Sequence, residues 1–468
     1  GAVQRVERCD RGFPTGEQHR LTRPFHGGLS VPLSGRLVSR RHDFEALADL
    51  DRSTPRVVRE NPDLPETTGI SRNAMKYHLS MLRALKSLLS TVTTLVRPRA
   101  ELLLEIAALR QQLDVYKRQN RRPKLKRGDR IGLLARNCLE YVEIELAAAK
   151  ASLIVACLNW RLGDRELRHC INLVEAEMVI VQAELSATLD RLELAPHRRL
   201  ILGADYDDFM AAGAADYPDL EIDPEDGLVI LYTSGTTGLP KGALISHRAM
   251  VARAMCYSSE MAIPIGDNFC AWPPFYHMAS TDQSFATLLR GGTVHIIDGY
   301  EPDLLIDILE CEKLSFFILM PGMVGPFAAI LQAREVKVKG VGRGGAMADL
   351  VPREDIAAVT KALNAPYNNT FGATETGLPP ATSSVIPIGV APTNLSKRQS
   401  AFCEMRLVDG DDNEVPIGTP GEVILRGPTL FSGYWNAEET NATDFRNGWF
   451  HMGDVLHRNE DGTLDYVD

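Results

Sequence analysis

The chain has no apolar run approaching the roughly 20 uninterrupted residues that a membrane-crossing helix needs, so no membrane span is expected in its 468 residues. Its start does not read as a signal peptide, because Arg5, Arg8, Asp10 and Arg11 break up any apolar core. The eight cysteines are scattered from Cys9 to Cys403, without a CxxC pair or a metal-ligand spacing. In a chain of this length that argues against a disulfide framework or a structural zinc, and for reduced, mostly buried thiols in the cytoplasm. A Walker A loop is missing, since GxxxxGK[ST] does not occur. There is no internal repeat, and the one heptad-like stretch falls short of the three or four heptads of a coiled coil.

What is present is an ordinary globular composition, 44% hydrophobic and 24% charged, in a chain long enough for two or three domains. The net charge of −10 conceals a division. Residues 1–130 carry 26 Lys and Arg against 14 Asp and Glu, and the remainder 25 against 47. Such asymmetry points to two segments of different character.

Residues 1–65 are rich in Arg, Pro and Gly and show little periodicity, so they are expected to be irregular. From residue 67, Ile70, Met75, Leu79, Leu82 and Leu89 recur at helical spacing. Within this helix, residues 69–79 resemble the recognition helix of bacterial helix-turn-helix regulators. An amphipathic surface helix is the plainer reading and is preferred. A second helix is expected after Pro98, with Leu102, Ile106, Leu109 and Leu113 on one side. It leads into the basic run 117–127, which is either a solvated linker or a phosphate-binding segment. Residues 97–126 also look like the opening of a transposase-type protein. Nucleic acid is therefore a weakly signalled partner, confined to residues 67–127.

At Gly128 the texture changes. Strands are expected at 131–135, 153–158 and 178–182, with helices at 140–151 and 164–174 between them. The pattern resumes with strands at 228–232, 293–297, 315–319 and 337–341. Strands alternating with helices imply parallel β/α units. After about residue 381 helices give out, and short segments such as 404–408 and 421–425, separated by Asp-Gly and Pro-rich turns, suggest a small β-rich subdomain.

The most specific feature is Tyr232-Thr233-Ser234-Gly235-Thr236-Thr237-Gly238-Leu239-Pro240-Lys241-Gly242. Small hydroxyl residues and glycines let backbone N–H groups approach phosphate oxygens, and Lys241 adds a point charge. A Walker A loop opens a helix; here residues 243–245 read as a strand, with Ser246 as N-cap of the helix that follows.

With that run the chain resembles the ANL superfamily of adenylate-forming enzymes: acyl- and aryl-CoA synthetases, adenylation domains of peptide synthetases and firefly-type luciferases. The likeness extends from about residue 126 to Asp468, with further motifs in the family's order. Pro273-Pro274-Phe275-Tyr276-His277-Met278 is similar to the segment whose His borders the acyl pocket. Gly344-Gly345-Ala346 resembles the loop lying against adenine and the acid. Tyr367-Asn368-Asn369-Thr370-Phe371-Gly372-Ala373-Thr374-Glu375-Thr376-Gly377 is similar to the signature whose aromatic residue lies by adenine, whose Thr contacts the α-phosphate and whose Glu holds Mg²⁺. Gly448-Trp449-Phe450-His451-Met452-Gly453-Asp454 resembles the segment whose Asp binds the ribose hydroxyls.

The resemblance implies an α/β fold, the ANL large N-terminal domain of stacked α/β subdomains plus a distorted β-barrel. It implies the reaction carboxylate + ATP → acyl-AMP + pyrophosphate, then transfer to the thiol of coenzyme A. It implies catalytic roles for Lys241, Thr374, Glu375 and His277. ATP or AMP is expected at Thr233, Ser234, Gly235, Thr236, Thr237, Gly238, Lys241, Gly344, Gly345, Ala346, Asn369, Thr370, Phe371, Gly372, Thr374 and Asp454. The acid is expected at His277, Gly344 and Gly345, and Mg²⁺ at Glu375 and Thr236. The chemistry suits these assignments. AMP transfer gathers negative charge at the α-phosphate, Mg²⁺ takes one or two carboxylates plus phosphate oxygens, and a carboxylate can accept two ribose O–H bonds. His277, taken alone, reads as a core histidine, and it is its place after Pro273-Pro274 in the family's order that favours the pocket; Trp272, Met320 and Val324 could shape the acyl pocket but read more readily as core.

The sequence departs from the family in three places. It ends at Asp468, where the family's C-terminal lid domain would follow. On that reading the lid is absent, and the chain keeps its ATP and AMP contacts but adenylates poorly. Residues 1–126 do not resemble the family's opening and are expected to be a basic, partly helical extension, foreign or disordered. The alternative is that residues 101–113 replace the family's first helix. Leu395-Ser396-Lys397-Arg398-Gln399-Ser400 stands where many relatives have a Gly-rich turn. The expected domains are thus 1–126, an α/β adenylation region 127–380 and a β-rich subdomain 381–468. The partners expected are a small carboxylic acid, ATP and coenzyme A; the oligomeric state is open. Rival readings are an adenylation domain serving another thiol acceptor, a nucleic-acid-binding fusion, and a non-catalytic nucleotide-binding core.

Overall fold

The structure, a computed structural model, describes residues 36–40, 125–192, 194, 198–213, 220–233 and 238–467. The helices expected within 67–113 and most of the basic run lie outside the described residues, as do Ser234, Gly235, Thr236 and Thr237.

Residues 36–40, expected to be irregular, form a strand, Arg36–Arg40 (β1), which pairs in parallel with a strand described below. The continuous fold then opens with Arg130–Leu134 (β2), Leu139–Ala151 (α1), Ile154–Cys157 (β3), Asp164–Val174 (α2) and Met178–Gln182 (β4). Runs such as Met-Val-Ile-Val are buried along their length, as strands covered on both faces must be. α1 and α2 each stop on a left-handed residue, Ser152 and Glu175, which turns the chain back toward the sheet. Ser186–Arg191 (α3), Arg198–Leu202 (β5) and Ala204–Ala211 (α4) follow. Gly227–Thr233 (β6) and Lys241–Ser246 (β7) complete a six-stranded sheet of order β5-β4-β2-β3-β6-β7. Only the last pair in this sheet is antiparallel, with Thr233 opposite Lys241.

His247–Glu260 (α5) starts where Ser246 caps it, the side chain accepting from Ala249 N at 3.2 Å. Asn268–Ala271 (β8), Met278–Leu289 (α6), Thr293–Ile297 (β9), Pro302–Cys311 (α7), Leu314–Phe317 (β10), Val324–Ala333 (α8), Val341–Gly344 (β11), Arg353–Leu363 (α9), Tyr367–Ala373 (β12) and Gly377–Ile386 (β13) build the second sheet. Its order is β1-β9-β8-β10-β11-β12-β13. β8 to β12 run parallel and β13 antiparallel to β12. The strand expected at 337–341 begins only at Val341, and β13 runs across the boundary expected at 380/381.

α5 and α6 lie between the two sheets. One apolar cluster joins side chains of α1, α5 and α6 to β2, β3, β6 and β7 on one side and to β8 and β9 on the other. Each large aliphatic side chain so buried contributes about 1.5–3 kcal/mol. This placement explains α6, whose residues from Ala279 to Leu288 are all buried although its sequence is half polar. Glu404–Val408 (β14), Gly421–Arg426 (β15), Phe445–Arg446 (β16), Trp449–Arg458 (β17) and Leu464–Tyr466 (β18) form an antiparallel sheet. It carries one helix, Glu438–Asp444 (α10), where none was expected.

The departure at 395–400 is firmly placed. Lys397 is fully buried, its Nζ 2.8 Å from Asp349 Oδ1. Glu260, at the end of α5, accepts from Ser400 Oγ and Ala401 N at 2.9 and 2.6 Å.

Candidate active site

In an open sheet of parallel strands, ligands meet the loops beyond the strands' carboxyl ends. The motifs lie there: His277 follows β8, Gly345 and Ala346 follow β11, the Thr374-Glu375-Thr376 turn follows β12, and the Thr233–Lys241 hairpin follows β6.

The hairpin and the turn are joined by a residue that no motif marked, Tyr434. The chain before α10 runs along β7. Leu244 N donates to Gly433 O at 3.0 Å, Ser432 N to Leu244 O at 2.7 Å and Trp435 N to Gly242 O at 2.8 Å. Asn441 clamps the same point, its Oδ1 accepting from Tyr434 N and its Nδ2 donating to Tyr434 O, both at 2.7 Å. Tyr434 thus enters the core with its hydroxyl donating to Glu375 Oε1 at 2.7 Å. Lys241 Nζ sits 4.0 Å from the centre of the same ring and 3.7 Å from Asp444 Oδ2. A cation over a tyrosine face is attracted by the ring quadrupole. Burial, and then the neighbouring Glu375 charge, push the Tyr434 phenol well above its ordinary pKa, so it stays a donor.

Behind the turn stands a second residue outside the motifs. Arg253 on α5 is buried and spends its guanidinium on three partners. Nε donates to Thr429 O at 3.0 Å, Nη1 to Asp282 Oδ2 at 3.0 Å and Nη2 to Thr374 O at 2.9 Å. Burial pushes the Asp282 carboxyl up and Arg253 pulls it back. The turn is braced internally by Thr376, whose Oγ1 accepts from Ala373 N at 2.9 Å and donates to Pro379 O at 2.5 Å. A Cβ on Gly372 would lie 2.2 Å from Gly377 O, so this hairpin closes only on glycine.

Phe371 packs against Tyr466 with ring centres 5.3 Å apart. The Tyr466 hydroxyl lies 3.4 Å from Asp454 Oδ1, so an aromatic edge and a carboxylate from two motifs are joined through β18. Gly345 takes φ +78°, and a Cβ there would fall 2.1 Å from the Tyr367 ring. The Tyr367 hydroxyl donates to Ala346 O at 2.8 Å and accepts from Ala346 N at 3.3 Å, fixing the turn. Asn369 is turned to the 395–400 segment, its Nδ2 donating to Leu395 O at 3.0 Å. Thr370 is buried in β12, Thr233 ends β6, and Gly238 adopts φ +91° in the hairpin.

His277 caps α6, its Nδ1 accepting from Ala279 N at 3.1 Å. That bond leaves the proton on Nε2. Surrounding protein holds the imidazole below its ordinary pKa, and the positive end of α6 also disfavours a charge there. The ring nevertheless opens onto a cavity of 240 Å³ whose wall includes Trp272, Pro274, Tyr276, Tyr300 and Met320. Trp272 and Met320 therefore face the cavity, and Val324 is core.

Among the described residues no group of three or more His, Cys, Asp or Glu is arranged to hold a metal by itself. A lone carboxylate suits Mg²⁺, which takes most of its oxygens from phosphates and water. Glu375 spends one oxygen on Tyr434 and fits that role. No helix among the described residues is long and apolar enough to cross a membrane.

A cation and a carboxylate from two motifs thus meet on one tyrosine, and an aromatic and an acid on another, with glycine turns at the strand ends. The AMP-binding enzyme family model matches residues 121–435, and the chain belongs to that family, the ANL superfamily of adenylate-forming enzymes. It is similar to a feruloyl-CoA synthase of Amycolatopsis sp, 29% identical over 73% of this chain and 68% of that protein. It is also similar to an indoleacetate–CoA ligase of Aromatoleum aromaticum, 26% identical over 71% and 67%. The fold matches the N-terminal domain of FACL13 from Mycobacterium tuberculosis, with TM-score 0.66, 23% identity and 74% and 88% coverage. The class that goes with this membership is acid–thiol ligase, with ATP, Mg²⁺ and coenzyme A as its cofactor and co-substrates.

Proposed function

We propose that this chain is the adenylating core of an AMP-dependent acyl-CoA synthetase, and that the residues joined through Tyr434 and Tyr466 carry the chemistry. The observation that supports this most directly is Tyr434. It places Lys241 and Glu375, from motifs far apart in sequence, on one side chain at the mouth of the parallel sheets.

On this reading the hairpin from Thr233 to Lys241 grips the phosphates, Phe371 lies by adenine and Asp454 accepts the ribose hydroxyls. Thr374 addresses the α-phosphate, its main chain held by Arg253. Glu375 would hold Mg²⁺, which supplies charge neutralisation to the phosphates when bound. The acid's carboxylate oxygen attacks the α-phosphorus, the bond to the bridging oxygen breaks and pyrophosphate departs. Lys241 offers charge to the oxygens that gain it, and His277, neutral and donating through Nε2, borders the acid. The thiol sulfur of coenzyme A then attacks the acyl carbon and AMP leaves.

Calorimetry with ATP·Mg²⁺ tests the nucleotide assignments. Glu375→Gln and Asp454→Ala are each expected to weaken binding about tenfold, consistent with loss of one charge-assisted contact of about 1.5–3 kcal/mol. Unchanged affinity in both would remove the site as drawn. A pyrophosphate-exchange assay across a panel of carboxylic acids tests the ligase reading. No disulfide joins any two of the seven described cysteines, and all but Cys311 are buried, which supports placement in a reducing compartment such as the cytoplasm.

A further inference from the structure

The segment that carries His277 opens with Pro273-Pro274, and a proline has no N–H to give. This stretch must be held through its carbonyls, by donors that come from elsewhere. α6 supplies two: Ser280 Oγ donates to Pro273 O and Thr281 Oγ1 to Phe275 O, both at 2.5 Å. A third comes from the other sheet. Asn137, in the loop between β2 and α1, is buried. Its Nδ2 donates to Pro273 O at 2.8 Å and to Ile297 O at 3.0 Å, with Ala271 O and Trp272 O at 3.3 and 3.4 Å. Its Oδ1 accepts from Phe275 N at 2.9 Å. An amide nitrogen carries two N–H bonds, so the two shortest contacts occupy both.

These partners belong to two strands. Ala271 ends β8 and Ile297 ends β9, and the two strands are neighbours, with Ala271 opposite Ile296. Beyond those ends the chain parts. From β8 it runs into Trp272, Pro274, Tyr276 and His277. From β9 it turns through Gly299, whose N donates to the same Ile297 O at 3.0 Å, to reach Tyr300. These six residues line the cavity from its two sides, and Asn137 stands in the fork where the sides separate.

The support behind the fork is firm. Arg136 N donates to Gln182 Oε1 at 2.9 Å, which pins the loop of Asn137 to β4. Tyr141 on α1 stacks on Phe275 with ring centres 5.2 Å apart. Across the fork Trp272 meets Tyr300 edge-on at 5.7 Å. The turns on the nucleotide side have other holders: Arg253 for Thr374, Thr376 for Ala373 and Tyr367 for Ala346.

Resting on the ligase reading, we infer that Asn137 is a positioning residue for the acid. It sets the opening between the two sides of the acyl cavity, and so the placement of the acid beside His277, while touching neither acid nor nucleotide. Its loss should therefore act on the acid and spare ATP. Asn137→Asp is the sharpest probe, because it keeps the acceptor for Phe275 N and the size of the side chain. It turns a carboxylate oxygen toward Pro273 O and Ile297 O, where two acceptors repel instead of bonding.

The test is pyrophosphate exchange on the full chain across a panel of carboxylic acids, with cinnamate and octanoate as its aryl and alkyl probes. In Asn137→Asp the KM for the acid is expected to rise at least about tenfold, within the roughly 10²-fold that an ångström of misplacement can cost. Asn137→Ser keeps one donor and should show a smaller rise in the same direction. The KM for ATP should stay unchanged in both. A role confined to folding would instead lower the active fraction, so that kcat falls alike for every acid and KM does not move. Unchanged acid KM in a folded variant, or an ATP KM that rises in step with it, overturns the inference. Failure of both variants to fold assigns Asn137 to stability alone and overturns it too. In each of these cases exchange by the unsubstituted protein leaves the ligase reading standing. If that protein exchanges with no acid of the panel, both fail.

Discussion

Tyr434 shows how much chemistry one side chain can organise. Its hydroxyl holds one oxygen of Glu375 and its ring carries Lys241, so the two effects can be separated. Tyr434→Phe keeps the ring and removes the bond. The variant is expected to fold, to keep its affinity for free AMP and to lose about tenfold in Mg²⁺-dependent pyrophosphate exchange, consistent with one hydrogen bond to a charged group. A loss that is the same for AMP binding would mean the tyrosine only packs. Glu145 on α1 makes a different prediction. Burial raises its carboxyl to about 8, with a hydrogen bond from Cys157 opposing. A carboxyl raised on folding binds its proton more tightly in the native state, so its contribution is present below the ordinary range near 4.5 and is lost as pH climbs toward 8. Thermal denaturation between pH 5 and 8 should therefore show the unsubstituted protein losing several degrees of Tm more than Glu145→Gln does.

At the scale of elements, α5 and α6 form a buried pair joined by Arg253 and Asp282, and Arg253 also holds the turn after β12. Arg253 and Asp282 have side chains only 1% exposed. Removing one member leaves an uncompensated charge and costs about 3–5 kcal/mol, whereas replacing both with apolar groups is often near neutral. Asp282→Ala should accordingly lower the denaturant midpoint strongly, and Asp282→Ala with Arg253→Met should recover most of it. The double variant should still lose turnover, because Thr374 O no longer has its donor. Recovery of both stability and turnover would show that Arg253 only fills space. Similar reasoning explains why α6 escaped the sequence reading. Met-Ala-Ser-Thr-Asp-Gln-Ser has no apolar stripe, and its helix is stabilised by burial between two sheets rather than by amphipathic periodicity.

For the molecule as a whole, the decisive contact is the strip 432–435 laid along β7, which ties the antiparallel subdomain to the first sheet. Gly433 makes it possible with φ +119°, a conformation that side chains rarely tolerate. A Cβ there would also crowd Asn441 Oδ1 at 3.2 Å. Gly433→Ala is expected to destabilise by about 1–3 kcal/mol, the usual cost of a strained backbone conformation, and to cut pyrophosphate exchange further than stability alone explains, since Tyr434 shifts with it. Intrinsic tyrosine fluorescence and activity measured on the same sample check this. Full activity in a destabilised protein would separate the strip from the chemistry.

The sequence by itself determined the parts whose signal is local. The buried runs of β2 and β4, the Ser246 cap of α5 and the glycine-rich turns at strand ends are dictated by side chains within a few residues of one another. Periodicity, capping and left-handed backbone act at that range. The same locality made the motif residues legible, because each sits in a turn whose geometry its own neighbours impose. Tyr434, Tyr466, Arg253 and Asp282 were not legible, nor was the strand Arg36–Arg40. Their partners lie far along the chain, and only register and packing bring them together. The tertiary structure alone decided that one tyrosine would unite Lys241 with Glu375 and that a buried guanidinium would hold Thr374 from behind. The physical reason is that charge, dielectric and hydrogen-bond supply at a point are set by everything surrounding it, and a linear sequence specifies that surrounding only once it has folded.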